Sequence, residues 1–351
     1  MSGRTGLQAG IGAALGAALL FGVGTPLAKL LLAGTDPWLL AGLLYAGSGL
    51  GLTLWRALRP PAARARLAPG DGPWLAGSVL AGGVAGPVLL MWGLANMPAS
   101  AAALLLNAES VFTAVIAWVV FRENVDRGIF AGMVAIVAGA VVLSWPREAD
   151  LGSLLPPLAV LGACLAWGID NNLTRKVSLA DATVIASIKG LVAGATNLAL
   201  ALALGAAWPS APLLAGALVV GFLAYGVSLV LFVVALRHLG AARTGAYFGV
   251  APFFGALVAV ILLVEPLTAP LLAAGALMAI GVWLHMSERH EHAHSHEPLE
   301  HEHEHRHDAH HLHDHADGTA AGEPHTHPHR HAPIRHRHPH YPDAHHRHDH
   351  G

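Results

Sequence analysis

Ten apolar runs of helix length fill the first 286 residues, and no other feature constrains the fold as strongly. Runs of about 20 apolar residues match the thickness of a bilayer core. Backbone groups in lipid have no water to bond to, so such runs must be helices that satisfy their own hydrogen bonds. The runs lie at approximately 7–32, 37–57, 73–95, 98–121, 128–145, 153–174, 182–206, 211–236, 240–264 and 268–286. With 54% hydrophobic and 12% charged residues, the chain is composed as a polytopic membrane protein. Its first run is too long for the apolar region of a cleaved signal and is read as a retained span. The lone cysteine, Cys164, excludes an intramolecular disulfide and a Cys-based zinc site, and reads as a small buried side chain.

The chain also repeats itself. LLLNAESVFTAVIAWVVFRE at 104–123 returns as AYFGVAPFFGALVAVILLVE at 246–265, an offset of 142 residues that sets Phe112 on Phe254, Ala117 on Ala259 and Glu123 on Glu265. FGVGTPLAK at 21–29 likewise matches WGIDNNLTR at 167–175, and Asp36 matches Asp181. Each half therefore holds five spans. An odd number turns the second half over in the membrane, giving an inverted repeat. Loop charges agree: Arg4, Arg56, Arg59, Arg64, Arg66, Arg122, Arg127, Arg175, Lys176, Arg237, Arg243 and Arg289 share one side, and only Arg147 lies on the other. By the positive-inside rule that side is the cytoplasm, and both termini are expected there. Short links make neighbouring spans antiparallel, and glycine pairs at four-residue spacing, such as Gly190/Gly194, suit close helix packing.

Two five-helix repeats, each closing on a helix–Glu–helix element at Glu123 and Glu265, resemble the EamA family of the drug/metabolite transporter (DMT) superfamily. NAESVFTAVIAWVVFRE, followed by Gly132 and Gly139, carries the resemblance in the first half; in the second, Ala251 and Pro252 stand in place of Glu109 and Ser110. The resemblance implies an all-α polytopic membrane protein with ten transmembrane helices, in repeats 5–146 and 152–286. It also implies a secondary transporter, not an enzyme, in the inner membrane of a bacterial-type cell, moving small metabolites such as amino acids or their analogues, mostly outward. The expected partners are a small-molecule substrate and the lipid bilayer, with no nucleic acid; a homodimer is left open.

Charge inside a span costs at least about 2.5–3.5 kcal/mol, so each such residue needs a partner, a cavity or a proton. Glu109 lies near the centre of span 4, with Asn107 two residues earlier; Asp170 and Asn171 lie in span 6 and Lys189 in span 7. Glu109 and Lys189 are read either as a structural ion pair or as a substrate or proton site. Tyr225 and Tyr247 are candidate hydrogen-bond donors to a cavity, and Asn171 is a candidate substrate ligand. Lys29, towards the outer end of span 1, is expected to snorkel to the interface. Pro26, Pro87 and Pro252 are expected to interrupt spans 1, 3 and 9 and free backbone carbonyls.

The last 65 residues are different material, holding 23 of the chain's 25 histidines and almost no large apolar residue. Such a segment forms no core and is expected to be disordered. His301, His303, His305, His307, His310, His311, His313 and His315 are candidate ligands for Ni, Co, Zn or Cu, because neutral imidazole suits those ions. Transition-metal efflux, or metal-regulated transport with the tail as buffer or sensor, is therefore the alternative function. The spans themselves carry no His cluster, nor any Walker, HExxH or nucleophile–base pattern, so no cofactor is required.

Overall fold

The computed structural model describes residues 2–58, 67–68, 70–121, 127–145, 154–178, 180–286, 291–295, 300–305, 325–330 and 335–339. The first half builds α1 (Ser2–Leu32), α2 (Pro37–Ala57), α3 (Gly72–Ser78), α4 (Gly86–Ala95), α5 (Ala99–Leu105), α6 (Ala108–Val119) and α7 (Arg127–Ser144). The second builds α8 (Leu155–Val177), α9 (Ala182–Ala203), α10 (Ala211–Val220), α11 (Ser228–Phe248), α12 (Ala251–Leu262) and α13 (Ala269–Met286). Seven helical stretches among the described residues are long and apolar enough to cross a membrane, and two more, Phe130–Ser144 and Ala269–Leu284, are apolar but shorter. α8 differs because Asp170, Asn171, Asn172, Arg175 and Lys176 crowd its last third.

The two halves exchange contacts with one another. α1 packs along α11, while its counterpart α8 packs along α3 and α4; α2 lies against its counterpart α9, and α7 against α13. Close approach at the α2–α9 centre depends on small residues. A Cβ on Gly190 would strike the backbone of Gly49, and one on Gly194 that of Ala46. That antiparallel register lets two backbones meet directly, which is how helices gain packing energy where the solvent is itself apolar. Asp36 and Asp181 start α2 and α9 alike, each accepting from backbone N–H groups of the first turn, Trp38 at 2.9 Å and Thr183 at 2.8 Å.

Two departures from regular helix recur in both halves. π-helical turns occupy Val79–Ala85 and Gly221–Val227, related by the same 142-residue offset as the sequence repeat. Span 4 breaks at Leu106–Asn107 and span 9 at Gly249–Val250. Pro87 follows the first π turn and Pro252 opens α12, whereas α1 runs through Pro26 unbroken. The end of span 8 and the start of span 9 both fall within the residues of α11, the spans themselves being Ala211–Leu239 and Thr244–Leu262. The rings of Phe232 and Phe248 are nevertheless 4.9 Å apart, where 16 residues of straight helix would separate them by about 24 Å. The chain therefore reverses inside α11.

In the tail, β1 (Glu291–Ser295) pairs with β4 (Arg335–Pro339), and β2 (Glu300–His305) with β3 (His325–Arg330), both antiparallel. The alternating His-x-His pattern has the period of a strand, which explains backbone pairing where composition alone indicates an irregular chain. A lone two-stranded ribbon is at most marginally stable in water.

Candidate functional site

A cavity of about 60 Å³ lies between the halves, walled by α1, α2, α6, α8, α9, α11 and the second π turn. The break at Leu106–Asn107 places Glu109 in the first turn of α6, at the cavity wall and only 9% exposed. Asn171 Nδ2 donates to Glu109 Oε1 at 2.8 Å and reaches Thr113 Oγ1 at 3.2 Å. Asn172 ties α8 to α6 through the Thr113 carbonyl at 3.1 Å. Glu109 has no cationic partner among the described residues.

Lys189, 1% exposed, bonds elsewhere. Its Nζ donates to Asp170 Oδ1 at 2.5 Å and to Thr174 Oγ1 at 3.1 Å, and Thr174 donates to the same carboxylate oxygen at 2.8 Å. The Glu109–Lys189 ion pair weighed from sequence is thus replaced by Asp170–Lys189, between consecutive helices α8 and α9. Asp170 also lies against Gly82, where a Cβ would collide with its carboxylate. Glycine in the π turn is what admits the charge.

That π turn does a second job. Its displaced Gly82 carbonyl accepts from Tyr45 Oη at 2.7 Å and Trp167 Nε1 at 2.9 Å, and Asn197 Nδ2 donates to the Gly83 carbonyl at 2.8 Å. Tyr45 and Trp167 are thereby fixed in the cavity wall. Phe21 stands edge-on to Trp167 and to Tyr225, at centroid distances of 5.7 and 5.8 Å, and Phe248 lies 5.4 Å from it. Ser228 Oγ donates to the Ala17 carbonyl at 2.9 Å, joining the second π turn's end to α1.

Of the residues singled out from sequence, Glu109, Asp170, Asn171, Lys189 and Tyr225 line this one cavity. Asn107 shares an adjoining cavity of about 20 Å³ with Glu109 and donates to the Leu104 carbonyl at 3.0 Å. Tyr247 is not brought in; it packs against Ala13, Ala14, Ala235 and Leu239. Its hydroxyl-bearing ring looked equivalent to Tyr225 only because depth within a helix pair is not written in one sequence. Lys29 does not snorkel but caps α4, donating to the carbonyls of Leu94 at 2.6 Å, Ala95 at 3.3 Å and Met97 at 3.0 Å. Opposite it, the Glu265 carboxylate accepts from the N–H groups of Ala99 at 2.7 Å and Ser100 at 2.9 Å. Tyr45, Trp167, Phe21 and Phe248 were missed from sequence. For Tyr45 and Trp167 the available signal was a polar-tipped aromatic in mid-span rather than at a span end; Phe21 and Phe248 offered none.

In the tail, His301, His303 and His305 fall on β2, opposite His329, His327 and His325 in Cα register. His307, His310, His311, His313 and His315 lie outside the described residues. Among the described residues no three His, Cys, Asp or Glu side chains gather as a metal site.

Residues 8–145 and 154–287 each match the EamA-like transporter family. The chain belongs to that family. An uncharacterized transporter of Methanothermobacter thermautotrophicus (strain Delta H) is similar to this EamA protein, 31% identical over 288 residues, covering 76% of this chain and 83% of the relative. A protein known from its crystal structure superposes with a TM-score of 0.59 at 18% identity, covering 80% of this chain and 95% of the other, and so shares the fold. The EamA assignment makes the protein a multi-pass membrane transporter rather than an enzyme, with a small-molecule substrate and a lipid surround.

Proposed function

We propose that this EamA protein exports a small metabolite, an amino acid or an analogue of one, by alternating access in the inner membrane of a bacterial-type cell, with both termini in the cytoplasm. One observation carries the reading: a cavity at the interface of the two repeats holds a carboxylate, Glu109, that has no cation beside it among the described residues. Glu109 lies ten residues into span 4 from Ala99, about 15 Å along the helix, too deep to reach water by bending its side chain. A carboxylate kept at that depth is a feature of a transport path rather than of a packed core. The paired breaks and π turns supply places where one half can rock against the other. The orientation is supported by the cationic end of the bundle, where Arg237 bonds the carbonyls of Ser178 and Ala180 and Lys176 lies 4.9 Å above the Phe121 ring.

The test is flux from proteoliposomes loaded with a labelled mixture of amino acids and their carboxylate-free analogues, amides and amines. The intact protein is expected to accelerate efflux over protein-free vesicles, and Glu109→Gln to reduce that rate at least tenfold at equal folded protein. Equal rates for the two proteins would sink the assignment of this cavity as the transport site.

A second reading concerns the tail, and the observation favouring it is the His-opposite-His register of β2 and β3. The backbone register repeats histidine opposite histidine at three successive alternate positions, and neutral imidazole suits transition-metal ions. The tail is proposed to buffer or sense Ni, Co, Zn or Cu beside the transporter. Nickel titration of the full chain is expected to show several ions bound at pH 7.5 and most released at pH 5, since imidazole must be neutral to ligate. A chain ending at Met286 is expected to bind none; if it binds as many, the tail is not the metal site.

A further inference from the structure

The cavity's charges settle which end of a substrate it can hold. Its charged walls among the described residues are Glu109, Asp170 and Lys189. Lys189 is satisfied by Asp170 and Thr174, so the only positive group in the wall is already neutralised at 2.5 Å. Glu109 has an amide on one oxygen and no cation. The balance facing the cavity is one carboxyl group with no cation beside it, which an arriving ammonium would hold in its ionised form. Most of the remaining wall is aromatic, Phe21, Tyr45, Trp167, Tyr225, Phe232 and Phe248, with Asn171 and Ser228 as its other polar side chains. Aromatic faces attract cations through the ring quadrupole, most strongly where water is excluded, and do nothing for an anion.

Resting on the transport reading above, we infer that the substrate presents an ammonium group to Glu109 and an uncharged, mainly apolar body to the aromatic wall. Within the class proposed above, this selects the analogues over the amino acids themselves: an amine, or an amino-acid analogue without a free carboxylate, rather than an acid or a simple zwitterion. A free carboxylate brought into this cavity would find no cation to offset its desolvation, and the nearest charged oxygens would repel it. Size agrees with a small amine. One water needs roughly 10–15 Å³ of such space, so the cavity in this conformation holds a body of a few heavy atoms.

Labelled n-butylamine bound to the purified full-length protein, at neutral pH where the amine is charged, is the probe. Unlabelled n-butylamine, 1-butanol and pentanoate compete in turn; they share one alkyl body and differ in whether its end is cationic, neutral or anionic. The amine is expected to displace the label at a concentration at least tenfold below that of the alcohol, and pentanoate not to displace it. Glu109→Gln is expected to abolish the tenfold preference, and Glu109→Asp, which keeps the charge if Glu109→Gln proves poorly folded, to retain most of it. Phe248→Ala is expected to weaken amine and alcohol alike. The inference is overturned if the label does not bind, if alcohol or acid competes as well as the amine, or if the preference survives in Glu109→Gln. Vesicles that export the labelled mixture through a protein preferring the acid keep the transport reading and lose this one. A protein that prefers the amine yet moves nothing does the reverse.

Discussion

Lys189→Met is expected to leave far less folded protein than Lys189→Met combined with Asp170→Asn. In the parent, an ammonium that is 1% exposed sits 2.5 Å from a carboxylate, with Thr174 bonding both. Taking either charge away alone strands the other in a low-dielectric interior, at a cost of about 3–5 kcal/mol. Removing both exchanges an ion pair for a neutral contact of similar volume, which is often neutral or even stabilising. The measurement is the fraction remaining monodisperse by size-exclusion chromatography after heating in detergent. Single variants should precipitate well below the parent, and the double variant should recover more than half of the loss. If Lys189→Met alone matches the parent, Asp170–Lys189 is not holding α8 to α9.

Lys29→Met with Glu265→Gln is expected to open the end of the bundle at which both residues lie. Between them they hold the turn joining spans 3 and 4. A cation meets the carbonyl end of α4 and a carboxylate meets the N–H end of α5, each matched to the unsatisfied groups and partial charge of its helix terminus. Lys29 comes from α1 in the first repeat, and Glu265 follows α12 in the second. The turn is therefore fastened to both repeats at once. Hydrogen bonds to charged groups contribute about 1.5–3 kcal/mol each, so losing this set moves an open–closed equilibrium by well over tenfold. A cysteine placed at Ala224, on the cavity wall, in a Cys164→Ala background reports the change. Its labelling by an impermeant maleimide from outside the cell should rise at least tenfold in the double variant. Unchanged labelling would show that the fastening does not govern access from that side.

The fold was legible because lipid permits so few backbone arrangements: apolar length gave the helices, and loop arginines with the 142-residue offset gave the repeat. α8 was found despite Asp170, Asn171 and Asn172, since the repeat required a helix there. The chemistry of the site was half legible. Glu109, Asp170 and Lys189 declared themselves as charges in apolar surroundings, but which two would meet was not written in spacing. Asp170 and Lys189 are 19 residues apart, across a turn that a helix hairpin closes, while Glu109 comes from the other repeat. Tyr45 and Trp167 stayed hidden because their anchor is a backbone carbonyl released by a π turn. A π turn has no side-chain signature beyond the Gly82–Gly83 pair. Lys29 was misjudged for a related reason, since its partners are main-chain oxygens that every residue carries.

The scaffold is doubled, but its polar fittings are not. Both repeats carry a π turn, a broken helix and an aspartate-capped second helix, yet Glu109 faces Ala251 across the duplication and Asp170 faces Gly24. Were the halves identical, swapping their shapes would return the same molecule turned over, and the two ends would be open for equal shares of time. Here the swap exchanges unlike residues, so the two postures differ in free energy. On the alternating-access reading proposed above, Glu109 and Asp170, charges without a charged counterpart in the other half, belong to the positions that bias the resting carrier towards one side.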